Sequence, residues 1–421
     1  MILFHGEVLE NKEQDRILKG LYEDCLNTLK TKPKLKIEQV IRACDAVYQK
    51  AILGEYDEIA MPLLKMADIS YDRFLSMAKL FSKEGLEYKC KIELGEDYAE
   101  PVDLLNGTKR YRYPLGILFH IAAGNVDGLP AYSVVEGLLA GNINILKLPT
   151  GDSGLSIRLL KELIDVEPAI KDFVYVFDVP STEINTLQIF ADIADGVVVW
   201  GGDVAVEAAK KMTGITTKLI SWGHKLSFAY ATNSATDEQL YELAKHICAT
   251  NQVLCSSCQG IFLNTDSASE QEAFAKRFFE QFKRANLDSP KLDIGMCGKN
   301  TIRIYNELLE NPNKKILNAD GISVFIEEDS ELCLSMLFRN AWIKRLKKDD
   351  IISNLKKHKN HLQSCGLLCN NDEKEELAHL LASAGVVRIT GGDMARMIAG
   401  EAHDGTYPLK EYSRIVEIDM N

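Results

Sequence analysis

Between residues 115 and 230, short apolar runs alternate with stretches of helical spacing. Strands that are apolar on both faces and are separated by helices are typical of a parallel sheet covered on both sides. The alternation therefore predicts a doubly wound α/β domain. The strand candidates are LGILFHIA, INILKLP, DFVYVFDV, GVVVWG and KLSFAYA, and the helix candidates lie near 130–140, 153–164, 182–192 and 203–212.

A second α/β pattern extends from about 230 to 400 and predicts a second doubly wound domain. Within it, the basic run at 344–359 is interpreted as a solvated helix face. The other elements are helix 236–250, strand GIFLNT, helix 268–286, and strands ISVFIEE, SCGLLC and GVVRIT.

The two ends of the chain have patterns of their own. Residues 12–95 carry apolar residues at helical spacing, whereas YKCKIELG and TKRYRYPLGILFHI read as strands. These predict N-terminal helices and a small β-ribbon at about 89–113. SRIVEID, near the C-terminus, reads as a strand that returns to the first domain. The predicted boundaries are 1–228, 229–395 and 396–421.

Composition excludes several classes of protein. The net charge of −12 argues against a broad nucleic-acid interface, which needs a basic face. No uncharged apolar run is long enough to span a bilayer, and the N-terminus lacks the pattern of a signal peptide. Ten scattered cysteines do not form a disulfide framework. We expect a cytoplasmic protein with reduced cysteines and no membrane span.

Asn125 follows a buried strand and precedes a helix, in FHIAAGNVDGLPAYS. Ligands of open α/β sheets bind at the carboxyl ends of strands, where an amide can donate a hydrogen bond to an oxyanion. A helix cap or turn is the alternative role for this asparagine.

Lys147 ends the apolar run INILK, where it can bind a nucleotide or simply extend its charge to solvent. Trp200 ends another run and is followed by Gly201 and Gly202 at a predicted helix start. Such a turn lets phosphate approach backbone N–H groups, although tight turns often need paired glycines anyway.

The segment NQVLCSSCQG places Cys255 and Cys258 three residues apart. A redox pair of the thioredoxin kind would open a helix in a much shorter chain. A zinc site would need two further ligands, and the close histidine pair His358 and His361 ends the basic segment IKRLKKDDIISNLKKHKNH. A nucleophilic cysteine would need a thiolate and an oxyanion donor. The spacing alone leaves all three open.

In combination, these residues resemble the aldehyde dehydrogenase superfamily. Asn125, Lys147, a glycine turn, a GGK-like segment WGHK and then Cys255 follow in that family's order, and Lys225 precedes Cys255 by 30 residues. Hydrolytic members carry a glutamate base where this chain has Ser221. A missing base resembles the branch that does not hydrolyse its thioester.

Within that branch, residues from about 85 to 421 are similar to the LuxC-type acyl-CoA reductases. CSSCQ, WGG, WGHKLSF and HDGTYPLKEYSRIVE carry the resemblance, with Cys258 standing where that family tends to have proline. The resemblance implies NAD(P)H-dependent reduction of an acyl thioester, in particular a fatty acyl-CoA, to an aldehyde. An acyl-phosphate or semialdehyde reductase and a non-catalytic partner-binding homologue are the alternatives.

The resemblance also implies roles for the residues around the cysteine. Cys255 is the expected nucleophile, and the Asn125 amide with the Cys255 N–H is expected to hold the oxyanion. His224 is a candidate for proton transfer or an ordinary turn histidine. Cys258 is a bystander, an accessory thiol or an oxidation partner. His403, with its neighbours Asp404 and Gly405, is expected to be structural or to line the site, without a catalytic role.

For the cofactor, the resemblance implies NADPH in preference to NADH, and no metal. NAD-specific relatives often carry a carboxylate three residues after the lysine, where this chain has the neutral Thr150. Expected partners are an acyl-CoA or acyl-protein substrate, an acyltransferase or synthetase, and a second copy of the chain. The basic run is an alternative site for CoA phosphates. The expected cofactor-binding residues are Lys147, Thr150, Trp200, Gly201, Gly202, Gly223 and Lys225.

Overall fold

The computed structural model describes residues 1–32, 34–66, 71–124, 128–150, 152, 154–394 and 400–420. The chain divides into two compact units. The first comprises Met1–Gly223 together with Ile398–Asn421, and the second comprises His224–Met397.

Strands and helices alternate through both units. The strands are β1 Ile2–Phe4, β2 Glu7–Leu9, β3 Val102–Asp103, β4 Thr108–Pro114, β5 Ile117–Ile121, β6 Ile143–Lys147, β7 Val174–Phe177, β8 Gly196–Trp200, β9 Lys218–Trp222, β10 Leu226–Ala231, β11 Cys258–Leu263, β12 Lys315–Ala319, β13 Ile322–Ile326, β14 Asn340–Arg345, β15 Leu362–Leu368, β16 Arg388–Thr390 and β17 Ser413–Asp419. The helices are α1 Gln14–Thr31, α2 Ile37–Ile52, α3 Asp57–Met66, α4 Tyr71–Ala78, α5 Lys83–Leu94, α6 Leu129–Leu139, α7 Leu155–Val166, α8 Ile184–Ile193, α9 Asp203–Met212, α10 Asp237–Thr250, α11 Ala268–Leu287, α12 Ile294–Glu310, α13 Ile351–Leu355, α14 Asn371–Ala384 and α15 Pro408–Glu411.

The first unit contains a seven-stranded sheet in the order β2-β1-β7-β6-β5-β8-β9. Strands β5 to β9 pair in parallel, while β1 is antiparallel to β2 and β7. Every residue of β6, β7 and β8 is buried, as expected for strands covered on both faces. The parallel sheet predicted from the alternation is confirmed.

The second unit contains another seven-stranded sheet, in the order β12-β13-β14-β11-β10-β15-β16, parallel except for β12. Alternate residues of β10 enter different apolar clusters. Ala229 packs with residues of α10 and α11, whereas Phe228 and Tyr230 pack with residues of α13 and α14. Helices therefore cover both faces, which confirms the second doubly wound domain.

A separate three-stranded antiparallel sheet has the order β17-β4-β3. Its longest pairing extends from Ser413 opposite Pro114 to Asp419 opposite Thr108. The C-terminal strand predicted from SRIVEID is confirmed, and it belongs to the first unit. No helix within the described ranges is both long and apolar enough to cross a bilayer.

Two elements predicted from the sequence are corrected. Residues 89–94 are not part of the ribbon but the end of helix α5. The alternation of Cys90, Ile92 and Leu94 with charged residues suggested a strand. The buried face is instead Leu86, Lys89, Cys90, Glu93 and Leu94, a helical spacing that includes two charged residues.

The basic run at 344–359 is likewise not one solvated helix face. Lys344 and Arg345 end the strand β14, and Lys344 is buried. Its ammonium donates to the Asp329 carboxylate at 2.6 Å and to the carbonyl of Glu331 at 2.7 Å. These two acceptors allow a lysine to lie in a strand of the sheet.

The charged residues of α5 form a buried ion cluster with helix α6. The Lys89 ammonium lies 2.5 Å from Glu93 Oε1 and 2.9 Å from Glu136 Oε1. Burial alone would lower the pKa of Lys89, but the two carboxylates raise it overall. Burial raises the pKa of the Glu136 carboxyl, against the opposing attraction of Lys89. Glu93 Oε2 also accepts the N–H of Leu409, which ties the C-terminal segment to α5.

We predict that Lys89→Met lowers the free energy of unfolding by about 3 kcal/mol or more, because it leaves the buried Glu93 and Glu136 without their counter-ion. Lys91→Met on the same helix is the control, since Lys91 is 47% exposed and pairs with Glu96 in solvent. Its cost should stay below about 1 kcal/mol. Urea unfolding of both variants measures the difference, and equal losses would contradict the assigned cluster.

Candidate active site

Cys255 lies in the loop that joins α10 to β11, here called the cysteine loop (residues 251–257). The chain reverses at the end of α10, where Asn251 and Gln252 both have positive φ, 45° and 63°. Such conformations are uncommon outside glycine and persist only where the surroundings hold them. The loop is thus a constrained turn that leaves the Cys255 side chain exposed.

Two glutamines hold the base of the cysteine loop. Gln252 is buried and donates to the carbonyl of Cys258 at 3.0 Å, while its Oε1 accepts the N–H of Asn340 at 2.9 Å. Gln259, also buried, donates to the carbonyl of Gln252 at 3.2 Å and accepts the N–H of Ser335 at 3.1 Å. Together they satisfy backbone groups that the turn removes from regular pairing. Sequence reasoning missed both residues, and their positions flanking the cysteines were the available signal.

The two cysteines of the motif have different surroundings. Cys258 begins β11 and is fully buried, and its thiol donates to the carbonyl of Gly260 at 3.2 Å. Burial raises the pKa of the Cys258 thiol to about 12, so it stays protonated. Its backbone N–H donates to Nε2 of His246 at 3.2 Å. Of the two cysteines of the motif, Cys255 is the exposed one. An accessory role for Cys258 stays a prediction that burial disfavours.

His224 and Lys225 open the second unit, just before β10. The Lys225 ammonium donates to the carbonyl of Asn360 at 2.7 Å. The carbonyl of His224 lies 3.0 Å from Nδ1 of His361, which fixes the turn that carries both residues. The segment that contains Asn360 and His361 therefore packs beside His224 and Lys225, and the roles assigned to these two residues stay predictions.

In the first unit, Lys147 ends β6 at the carboxyl edge of the sheet. It is 3% exposed, and its ammonium donates to Ser181 Oγ at 2.9 Å. Burial lowers the pKa of Lys147, and attraction by the Asp178 carboxylate opposes that shift. Thr150, three residues later, is exposed. A cation and a hydroxyl thus lie close in sequence at the edge where open sheets bind ligands.

The predicted glycine turn follows β8 at the same edge. A Cβ on Gly201 would lie 2.9 Å from Cβ of Ala205, so the close approach of the turn to α9 requires glycine. Gly202 precedes the first residue of α9 and has open space around it. Gly223 directly follows β9, the next strand of the sheet. This arrangement suits a phosphate group at a helix N-terminus.

Three aromatic side chains meet beside that turn. The rings of Trp200 and Trp222 are 5.4 Å apart, and the His403 ring lies 4.9 Å from each. The indole N–H of Trp222 donates to the hydroxyl of Tyr412 at 3.3 Å. His403, predicted to line the site, is thus a part of the aromatic group at the ends of β8 and β9.

A chain of buried hydrogen bonds orients Trp200. Its indole N–H donates to Ser133 Oγ at 2.9 Å, and Ser133 lies 2.8 Å from His120 Nδ1. His120 Nε2 lies 3.0 Å from Asn144 Oδ1, and the Asn144 amide donates to the carbonyl of Asn142 at 2.7 Å. Because that amide group is committed as donor, Asn144 Oδ1 accepts from His120 Nε2–H. Burial lowers the pKa of His120 to about 4, so the ring is neutral at pH 7 and its Nδ1 accepts from the Ser133 hydroxyl.

The remaining sequence-based candidate, Asn125, lies outside the described residues. Ser221 lies in β9 and is exposed. Within the described part of the chain, no three His, Cys, Asp or Glu side chains are grouped as ligands for a metal ion.

The family model described as acyl-CoA reductase (LuxC) matches residues 33–415. The chain belongs to this acyl-CoA reductase family. It is an oxidoreductase that reduces an acyl thioester to an aldehyde.

Two curated relatives are similar to this reductase over about 70% of their own length. The long-chain acyl-protein thioester reductase of Vibrio harveyi is 25% identical over 354 residues, which cover 80% of this chain and 71% of that protein. The protein of the same description from Photobacterium phosphoreum is 25% identical over 345 residues, which cover 80% and 70%.

Solved structures share the fold of this reductase at low identity. A glyceraldehyde-3-phosphate dehydrogenase from Methanocaldococcus jannaschii, complexed with NADP, has a TM-score of 0.72 at 15% identity, covering 98% of this chain and 95% of that chain. An NAD-dependent aldehyde dehydrogenase from Sinorhizobium meliloti has a TM-score of 0.76 at 13% identity, covering 99% and 94%. The aldehyde dehydrogenase fold expected from the sequence is confirmed.

We predict that neutral His120 makes the reductase sensitive to acid. Its folded-state pKa is about 4, below the ordinary value of 6.5. The unfolded chain therefore takes up a proton first as the pH falls, and stability present above about pH 6.5 is lost towards pH 4. Between pH 7 and pH 4.5, wild type should lose about 2–3 kcal/mol more than His120→Gln. Urea titrations at both pH values test this, and parallel losses in the two proteins would contradict it.

Proposed function

We propose that the reductase carries its acyl group on Cys255. The Cys255 thiolate attacks the carbonyl carbon of the acyl thioester and a new thioester bond forms on Sγ, while the original C–S bond breaks and the donor leaves as a thiolate with the electron pair. The observation that carries this proposal is the contrast in exposure between the two cysteines of the motif. Cys255 is exposed on a constrained loop, whereas Cys258 is buried as a thiol.

The oxyanion formed in that attack needs donors that are already in place. We assign this role to the Asn125 amide and the backbone N–H of Cys255, as the family resemblance implies. The constrained cysteine loop supports the second donor, because Gln252 and Gln259 hold its backbone in one conformation.

The acyl–enzyme must not be lost to water. Ser221 stands where hydrolytic relatives carry a glutamate, and its hydroxyl does not act as a general base at neutral pH. With no carboxylate at this position, water near the thioester is not activated, and the acyl group persists until it is reduced.

A nicotinamide cofactor, when bound, supplies the hydride that converts the acyl group to an aldehyde. The carboxyl edge of the first sheet fits such a group. Gly202, directly before α9, leaves room for phosphate at the start of that helix, and Trp200 ends the strand that leads into the turn. Lys147 and Thr150 would hold the ribose end of the cofactor. Gly223 and Lys225 are proposed as further cofactor-binding residues, as the resemblance implies.

NADPH is the proposed preferred cofactor, with NADH accepted. The preference is supported by the Lys147 ammonium and by the exposed, neutral Thr150, which leave a 2′-phosphate without a repelling carboxylate at that position. Of the solved relatives, the one from Methanocaldococcus jannaschii is complexed with NADP.

The proposed acyl group is a long chain, delivered as a thioester of CoA or of a protein. The relatives from Vibrio harveyi and Photobacterium phosphoreum are both described as long-chain acyl-protein thioester reductases. A protein donor would be an acyltransferase or synthetase partner. Assays of acetyl- to palmitoyl-CoA, of an acylated protein and of acyl phosphate, run side by side, identify the donor.

A homo-oligomer in the cytoplasm is the proposed state of the reductase. The three-stranded sheet exposes Val102, Ile415 and Ile418, apolar groups suited to an interface with a second copy. The ten cysteines, all within described residues, are thiols, which is typical of a reducing compartment.

We predict that Cys255→Ala abolishes acyl-CoA-dependent oxidation of NADPH, because no acyl–enzyme forms without the nucleophile. Cys333→Ala is the matched control, since Cys333 is also an exposed thiol of the second unit. Absorbance at 340 nm and mass detection of the acyl–enzyme measure the two results. Full activity of Cys255→Ala would refute the nucleophile. An active enzyme that uses acyl phosphate and no thioester would refute the donor class.

The cofactor preference has a separate test at Thr150. We predict that Thr150→Glu lowers kcat/KM for NADPH about 10- to 100-fold, because a carboxylate there repels a 2′-phosphate, and changes the value for NADH far less. Thr150→Gln has the same size without the charge and should retain the preference for NADPH. Equal effects of the glutamate on both cofactors would contradict a 2′-phosphate at this position.

A further inference from the structure

One buried hydroxyl joins the cysteine loop to the middle of the second sheet. Ser227 lies in β10 at 0% exposure, and its Oγ donates to the carbonyl oxygen of Cys255 over 2.7 Å. The same Oγ accepts the backbone N–H of Ser364 in β15 over 3.1 Å. A single side chain thus serves a backbone acceptor on one side of β10 and a backbone donor on the other.

An irregularity in the sheet explains why a side chain is needed there. The register of β10 shifts between Ser227 and Ala229 against β11, and between Leu226 and Phe228 against β15. A shift of this kind takes backbone groups out of the ladder, and buried backbone groups need a partner. Where β10 departs from regular pairing, the Ser227 hydroxyl is the hydrogen-bond partner of the Cys255 carbonyl and of the Ser364 N–H.

We propose that Ser227 is a positioning residue for Cys255. The peptide bond between Cys255 and Ser256 is planar and trans. Holding the carbonyl oxygen of Cys255 against Ser227 therefore also fixes the direction of the Ser256 N–H. Cys255 then has one backbone orientation, with its thiol on the exposed side of the loop. The inference rests on the proposed role of Cys255 as nucleophile, since small displacements of a reacting group cost large factors in rate.

The test compares Ser227→Ala with Ser323→Ala. Ser323 is a matched control, because it is also a buried strand serine, in β13, and donates to Asn318 Oδ1 at 3.2 Å. Strands β14 and β11 separate it from β10 in the sheet. For Ser227→Ala we expect kcat per folded enzyme to fall about 10- to 100-fold with an unchanged KM for NADPH. Ser323→Ala should lose stability and retain the wild-type kcat.

A purely structural serine would give another result. Both variants would unfold at lower urea concentration, and the kcat of the folded fraction would equal that of wild type in each, which would overturn the proposal. If Ser227→Ala does not fold, Ser227→Cys keeps the packing and replaces the hydroxyl with a weak S–H donor. A wild-type kcat in that variant would equally overturn it.

Cys255→Ala, assayed in parallel, separates this inference from the proposed function. An active Cys255→Ala enzyme refutes the nucleophile and with it the role of Ser227. An inactive Cys255→Ala enzyme beside a fully active Ser227→Ala enzyme refutes the positioning role alone.

Discussion

Backbone groups that are buried at the ends and irregularities of the two sheets must find hydrogen-bond partners within the protein. In the second unit, Gln252, Gln259 and Ser227 supply those partners around the cysteine loop. In the first unit, Asn142 does the same, accepting the N–H of Gly116 and donating to the carbonyl of Tyr412. The polar side chains that define the edges of the sheets are thus required by the fold before they serve any chemistry.

The same requirement gives the first unit a single internal arrangement. An apolar core tolerates many packings of similar volume, whereas a row of buried donors and acceptors is satisfied in one order. Trp200, Ser133, His120 and Asn144 form such a row. A large aromatic ring at the edge of the sheet is thereby held by groups that lie well inside it.

Much of this fold could be predicted from the sequence where local and tertiary preferences agree. The runs INILK and GVVVW are strands because most of their residues are apolar and turns bound them on both sides. Prediction failed where a charge is buried with a partner distant in sequence. The carboxylate of Glu136 lets Lys89 enter the core on a helix, and Asp329 does the same for Lys344 in a strand. Neither partner can be identified from spacing.

In the candidate site, too, some residues could be predicted from the sequence and others could not. Cys255 and Lys147 could be predicted as site residues because a family resemblance relies on residues in a fixed order along the chain. The supporting glutamines and Ser227 could not, because their partners depend on strand register. Strand β9, with its alternating exposure, was missed because it is short and adjoins a polar loop. The positions that hold the site therefore become visible only when the sheets are in place.

The C-terminal segment also bears on the order in which the chain can fold during synthesis. Tyr412 and Leu409 are fully buried in the first unit, although 174 intervening residues, His224–Met397, make up the second. A nascent chain that has emerged as far as Gly223 still has Glu93 without the Leu409 N–H and Trp222 without the Tyr412 hydroxyl. The second unit is one continuous segment, so its folding does not require residues that are synthesised after it. On the ribosome, the later-made unit can reach its native state first, and the earlier-made unit is completed only when the last strand arrives.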